Sequence, residues 1–402
     1  MIWLWLGFFW QAQAQEPFWT DLENFHSKSL SLKTERQNLE SASDQLLSKR
    51  LFWTPTLAVS ANQSEKRING GDSTKTDYLE ADAQLNLFRG GADWNSMKSA
   101  EAAKKAQELR VLNENLRVEI AASDLIFKSL YLTESHNIQL ELLKLKEESL
   151  RIAKDRYSQG KLPAQEVTKS EVDLSQQRGK IRLAQQDLIE NKTQIVAAFV
   201  SDIATKAWPF SEKLEPHFRG SERLPLAEEK FWLQQGQEQL WKAAKAAHWP
   251  SLDLVLQYQQ FPIRERTDNQ LLGTLQLTFP LWSRYETEAK ASSAFAQFIA
   301  AENDFKDTDQ KLKQKMIFLK EKIEIARQNL MEAKRNLELS KSLYQDVFKS
   351  FRLGRISTND LLLEQNRLLD SQTNLALSQL AFHQTLIETC ALAGLQAREC
   401  LK

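Results

Sequence analysis

Between residues 79 and 87 apolar and polar side chains alternate without a break. Leu79, Ala81, Ala83, Leu85 and Leu87 fall on one parity, with Glu80, Asp82, Gln84 and Asn86 on the other. A period of two predicts a strand with one apolar face. The pattern returns where Leu275, Leu277, Phe279 and Leu281 alternate with Gln276, Thr278 and Pro280. A shorter apolar series precedes each: Leu57, Val59 and Ala61, then Leu252, Leu254, Leu256 and Tyr258. Four strands follow, at about 54–62, 77–88, 250–260 and 271–282. Each has the roughly nine to eleven residues that a tilted strand needs to cross a bilayer.

The other signal is helical. From Asp93 to Arg156, and again from Arg284 to Leu353, there is neither proline nor glycine. Leu109, Leu112, Leu116 and Ile120 recur at helical spacing in a narrow stripe, closer to a coiled-coil seam than to a globular-core face. At 1.5 Å per residue these runs predict helices about 95–105 Å long. The return arms read as spliced: 164–200 with 226–247, and 357–393 with 18–50.

These elements are one unit written twice. Pro55 and Pro250 open strand-like runs 195 positions apart. Leu87-Phe88 and Leu281-Trp282 close alternating runs, and Gly160 and Gly354 interrupt long helices, each pair 194 apart. Glu166 and Asp360 follow those glycines by six residues. The expected organisation is a first repeat over 15–205 with its helical hairpin at 93–200, an irregular linker over 206–225, and a second repeat over 226–395 with its hairpin at 284–393. A tail, 396–402, follows.

Charge changes the picture by exclusion. Lysine plus arginine equal aspartate plus glutamate at 53 each, so no basic field points to nucleic acid. After residue 10 no apolar run is long enough for a transmembrane helix, so a membrane form must be a β-barrel. Ile2–Trp10 followed by Ala12-Gln13-Ala14 reads as a signal peptide over 1–14, although no lysine or arginine precedes the apolar block. Cys390 and Cys400 stand ten apart. They pair if Gly394 lets the chain turn back, and remain free thiols, about 15 Å apart, if the helix is continuous.

Two readings of the strands stand side by side: four half-buried strands of a soluble antiparallel sheet, or a membrane barrel. Trp53, Phe88, Trp94, Trp249 and Trp282 cluster at the strand ends next to the helices, as an interfacial girdle does. Polar loops are expected at 62–76, with the turn signal Asn69-Gly70-Gly71, and at 261–270. Under the barrel reading Leu79, Leu85, Leu87, Leu252, Leu254, Leu275, Leu277 and Phe279 face lipid. Four strands cannot close a barrel, and an open edge in lipid strands backbone donors and acceptors. A homotrimer supplies twelve strands, whereas a dimer's eight would leave an interior filled by side chains.

The duplicated helix–strand–strand–helix order resembles the TolC family of outer-membrane efflux proteins. So do Leu87-Phe88-Arg89-Gly90-Gly91 and the breaks at 156–163 and 351–357. The resemblance spans residues 18–395. It implies a mainly helical protein with a trimeric twelve-stranded barrel and a long helical tunnel, placed in the outer membrane of a Gram-negative bacterium with its helices in the periplasm. By the same resemblance the hairpin tips, Gly160, Leu162, Pro163, Gly354, Ile356 and Ser357, meet a periplasmic adaptor that links to an inner-membrane transporter. Asp360 matches a family acid at the tunnel entrance. The family's second acid falls on Leu363 here, with Glu364 one turn from Asp360. Three copies of Asp360 and Glu364 make an acidic ring, or else an ordinary solvated helix face.

No catalytic constellation stands out, and no cofactor or metal is expected: the five histidines lack metal-ligand spacing and no phosphate-binding glycine loop occurs. The expected function is a non-enzymatic exit duct of an efflux or type I secretion system. The competing reading is a coiled-coil scaffold carrying a small interaction sheet.

Overall fold

The computed structural model describes residues 16–67, 73–199, 202–212, 214–216, 223–262, 267–281 and 285–401. The signal-peptide segment, the Asn69-Gly70-Gly71 turn and Trp282 lie outside them. Helical residues 16–28 (α1) pass through Ser29 into α2 (Leu30–Arg50). Then come β1 (Thr56–Arg67), β2 (Ser73–Arg89), α3 (Ala92–Ser158), α4 (Ala164–Phe199) and α5 (Pro225–Ala246). After these follow β3 (Ser251–Pro262), β4 (Thr267–Thr278), α6 (Glu286–Arg352), α7 (Thr358–Leu392) and a short α8 (Ala397–Cys400). The helix read from sequence at 18–50 is thus two, split where the Ser29 hydroxyl accepts from the Leu32 amide at 3.4 Å.

Two compact units form. The first comprises Thr34–Val111 and Pro225–Gln310. Its sheet is antiparallel in the order β1-β2-β3-β4, so the β2–β3 pair joins the two halves of the duplication. The strands differ from their expected spans at both ends. β1 and β2 pair from Thr56↔Gln84 to Arg67↔Ser73, well into the expected loop. Alternation stops near Ala61, but ladder hydrogen bonds need no apolar side chains, so the ribbon outruns the pattern. β4 stops at Thr278 instead of running to 282, because Pro280 has no N–H to give the ladder.

The connections into the helices are tight. Gly90 sits at φ +62, and a Cβ there would lie 2.5 Å from the Trp249 Cβ and 2.7 Å from the Ala246 carbonyl oxygen. Tyr285, 195 positions on, holds the same left-handed conformation at φ 68 without being glycine. Around the sheet's helical flank, Gly236 of α5 lies against Ala102 of α3. The Arg110 guanidinium donates to buried Glu229 at 3.2 Å. Trp241 stacks on Phe298, tying α5 to α6.

The second unit comprises Leu112–Leu224 and Lys311–Lys402 with the N-terminal stretch up to Lys33. α3 and α6, which feed both units, have 67 residues each, about 100 Å at helical rise. Both end on glycines in left-handed turns, Gly160 at φ 68 and Gly354 at φ 75. Matching bonds close the two turns: Lys161 N–H to Arg156 O at 2.9 Å, and Arg355 N–H to Ser350 O at 3.0 Å. Buried polar groups fix the register of the α3–α4 hairpin. Lys146, nearly fully buried, donates to Asp173 at 2.9 Å, and Gln177 donates to the Gln139 side chain at 2.8 Å.

The core of this unit is aromatic. Phe18, Phe127 and Phe382 are fully buried, with Phe210 of the irregular segment 202–212 packed among them. Side chains from the helices hold that segment. Asp21 accepts from the amides of Ala204 and Thr205 and from the Thr205 hydroxyl, at 2.6–3.0 Å. The Phe210 N–H donates to His383 Nε2 at 3.3 Å, while His383 Nδ1 bonds the Gln379 carbonyl oxygen at 2.7 Å. The cysteines, open at the sequence level, form a disulfide with Cα atoms 5.8 Å apart, because Gly394 at φ 80 ends α7 and turns the chain back. Closing so short a loop is worth about 2.7 kcal/mol in the chain-entropy account. It clamps Ala397, Cys400 and Leu401 into the core.

Two buried ionisable groups pull stability in opposite directions. Burial depresses the His383 imidazole to about 4 from 6.5. Its contribution is complete above about 6.5 and is lost as pH falls through 4. Burial raises the Glu119 carboxyl to about 7 from 4.5, partly offset by the bond it accepts from the Ala397 N–H at 2.9 Å. Protonated Glu119 contributes fully below 4.5 and loses that contribution as pH rises through 7. At 1.36 kcal/mol per unit each effect amounts to about 3 kcal/mol, so between pH 4.5 and 6.5 they nearly cancel. Glu119→Gln removes one of them. Unfolding stability of this variant, followed by denaturant titration, should rise by about 3 kcal/mol from pH 4 to 6.5. A flat profile would contradict the part assigned to His383.

Candidate functional site

Register decides which side chains share a face. Across the sheet, Ala83 stands opposite Leu57 and Leu256, Leu85 opposite Leu254, and Leu254 in turn opposite Leu275. Leu79, Leu252 and Leu277 fall on the same side, so an apolar face runs unbroken over all four strands. Leu57, Val59 and Leu275 are 77 %, 80 % and 64 % exposed. The opposite face is mainly polar, although Leu272 of β4 also falls on it. Glu80, Asp82, Gln84 and Asn86 line up with Gln259, Gln257, Val255 and Asp253. Glu80 bonds Asn62 at 3.0 Å and also takes the Gln257 amide.

Two of the expected lipid-facing residues are placed differently. Leu87 is the extra residue of a β-bulge, and Phe88, expected in the girdle, stands opposite Leu252 on the apolar face. The bulge breaks the strict alternation by one residue, which a pattern of types cannot display. Phe279 lies beyond β4, as does Leu281. Trp53, Trp94 and Trp249 are all exposed at the helical end of the sheet.

At the hairpin tips, Gly160, Pro163, Gly354 and Ser357 are exposed and Leu162 is half-buried. Ile356 packs against the buried cluster that contains Tyr344, Phe351, Leu361 and Leu368. The two tips touch through Arg156. Its Nη1 reaches the Phe351 carbonyl oxygen at 3.4 Å and its guanidinium lies 5.5 Å over the Phe351 ring. A Cβ on Gly354 would meet Arg156 Nη2 at 2.8 Å, which the flexible guanidinium could yield to, so it is the positive φ that requires glycine.

The acids past the second tip have local partners. Asp360 is exposed and completes a capping box: its Oδ2 accepts from the Ser357 N–H at 3.1 Å, and its own N–H donates to Ser357 Oγ. Glu364 is largely buried and accepts from Arg367 at 2.8 Å. The pair is therefore not two free carboxylates; the negative charge open to solvent is that of Asp360. Glu166, at the matching place in the first repeat, is drawn below the usual carboxylate range chiefly by its bond to Lys169.

Sequence reasoning missed Arg156, His383, Asp21 and Glu119. Each acts on a partner 173 or more positions away. Only the isolation of a histidine among apolar residues near 383 was available as a signal.

No helix among the described residues is long and apolar enough to cross a membrane. The fold is that of known outer-membrane channels. CusC, described as changing conformation on folding and transmembrane channel formation, aligns with TM-score 0.84 at 14 % identity, over 94 % of this chain and 91 % of its own. The outer membrane protein VceC of Vibrio cholerae aligns with TM-score 0.82 at 15 % identity, over 96 % and 97 %. The CmeC outer membrane channel of Campylobacter jejuni does so with 0.81 at 14 %, over 96 % and 87 %. No curated protein matches in sequence. Residues 22–200 match the family described as outer membrane efflux protein.

Proposed function

We propose that this chain is the outer-membrane exit duct of a tripartite efflux or type I secretion system, a passive conduit from periplasm to exterior assembled as a homotrimer. The observation that carries the proposal is the exposed apolar face running across all four strands, with a polar face behind it. Three copies supply twelve strands with lipid-facing leucines outside and Glu80, Asp82 and Gln84 towards a water-filled lumen. The disulfide fits an oxidising compartment such as the periplasm. The exposed tips around Gly160 and Gly354 are the proposed meeting points for a periplasmic adaptor, which connects to an inner-membrane transporter. A coiled-coil scaffold is the weaker reading, since it gives the apolar sheet face no role.

At the tunnel entrance, the proposed ring consists of three Asp360 carboxylates, backed by three Glu364–Arg367 pairs. Such a ring favours cations over anions.

Two measurements test these readings. Leu85→Arg or Leu275→Arg should cost about 2–4 kcal/mol if the position lies near the bilayer midplane, and should cut the trimer recovered from outer membranes. Gln84→Arg, on the lumen face, should be mild. Equal tolerance at all three positions contradicts the barrel. In single-channel recordings, trivalent cations added on the periplasmic side should block wild type, and Asp360→Asn with Glu364→Gln should weaken that block. An unchanged block returns both acids to an ordinary helix surface.

A further inference from the structure

The helical end of the sheet carries a second, independent pattern. α2 ends there in Arg50 ahead of β1, α5 ends there ahead of β3, and α3 begins there after β2. The latter two connections are packed together, since the Gly90 backbone abuts Trp249. Residues 49–53, 94–98 and 241–249 contain five lysines and arginines and no aspartate or glutamate, in a chain whose charges otherwise balance at 53 and 53. The neighbouring acid Asp93 sits in the first turn of α3, where the helix N-terminus stabilises negative charge.

The cations stand over aromatic rings. Lys98 Nζ lies 5.4 Å from the centre of the Trp94 ring, and Lys245 Nζ lies 5.0 Å from that of Trp241. Both lysines are exposed, as are Lys49 and Arg50, and none of the four makes an ion pair among the described residues. Other helix lysines nearby do pair: Lys104 with Glu108, Lys242 with Glu238, Lys290 with Glu286. Trp53, Trp94 and Trp249 are 65 %, 51 % and 64 % exposed. Indole rings left in the open beside uncompensated cations match a bilayer interface, where tryptophan sits at headgroup level and lysine reaches phosphate.

We propose that this end of the sheet is a collar for anionic phospholipid headgroups in the periplasm-facing leaflet, with Lys49, Arg50, Lys98 and Lys245 taking the phosphates. The proposal rests on the barrel reading, which sets the depth of the collar. Charge selects the headgroup: a zwitterionic lipid supplies a phosphate with its own cation attached, an anionic lipid a phosphate without one. Each cation beside an anionic surface is worth about a fivefold change in partition, and salt weakens it.

The test uses the full trimer in nanodiscs of mixed phosphatidylcholine and phosphatidylglycerol, with the lipids retained after gentle extraction counted by mass spectrometry. Wild type should retain phosphatidylglycerol in preference. Replacing Lys49, Arg50, Lys98 and Lys245 together by Gln should lower that preference more than about tenfold. Lys98→Arg with Lys245→Arg should preserve it, which separates charge from folding. The preference of wild type should also fall in high salt. Insertion without any preference, or a preference that survives the Gln variant, overturns the collar and leaves the barrel standing. Failure to insert into either lipid overturns both.

Discussion

A strand edge cannot be left open in hydrocarbon, because each unpaired backbone N–H or C=O there costs several kcal/mol. This chain makes one sheet of four strands whose outer members, β1 and β4, each keep one edge unpaired within the chain. Everything else about the first unit follows from satisfying those edges. The apolar face lies across the whole sheet, which in the proposed barrel gives a lipid side from edge to edge. The duplicated halves meet at β2–β3, so each half offers one edge outward. In the proposed trimer, β1 of one copy pairs with β4 of the next until the ring closes.

The helices answer to a related constraint. Two helices of 67 residues each run on unbroken, while α4, α5, α7 and the N-terminal helices are shorter. The irregular chain between helices needs fastening. The aromatic core around Phe127 and Phe382 supplies it, with Asp21 and His383 pinning the segment 202–212 and the Cys390–Cys400 bond holding the chain end. The opposed responses of His383 and Glu119 mean that this fastening changes little in net stability across mildly acidic pH.

Much of this was legible in the sequence because it is written in local periodicity. Alternation from Leu79 to Leu85 gave a strand and its faces, and the proline- and glycine-free runs gave the long helices. Constant offsets between Gly160 and Gly354 gave the duplication. What stayed hidden depends on register or on distant partners. Leu87 drops out of the ladder at a single bulge, and β4 ends early at a proline that the alternation counted as an ordinary polar position. Asp360 looked like a free acid at a matching position, while its first partner is Ser357, three residues back. Cysteine pairing depended on whether Gly394 ends the helix, which composition alone does not decide.

The central claim is that the four-stranded sheet is one third of a closed ring. Its most direct test is the mass of the detergent-purified protein, measured by native mass spectrometry with strand content followed by circular dichroism. The expected result is a trimer that loses its strand signal only when it dissociates. A monodisperse monomer with native strand content would mean that the edges of β1 and β4 need no partner, and would contradict it.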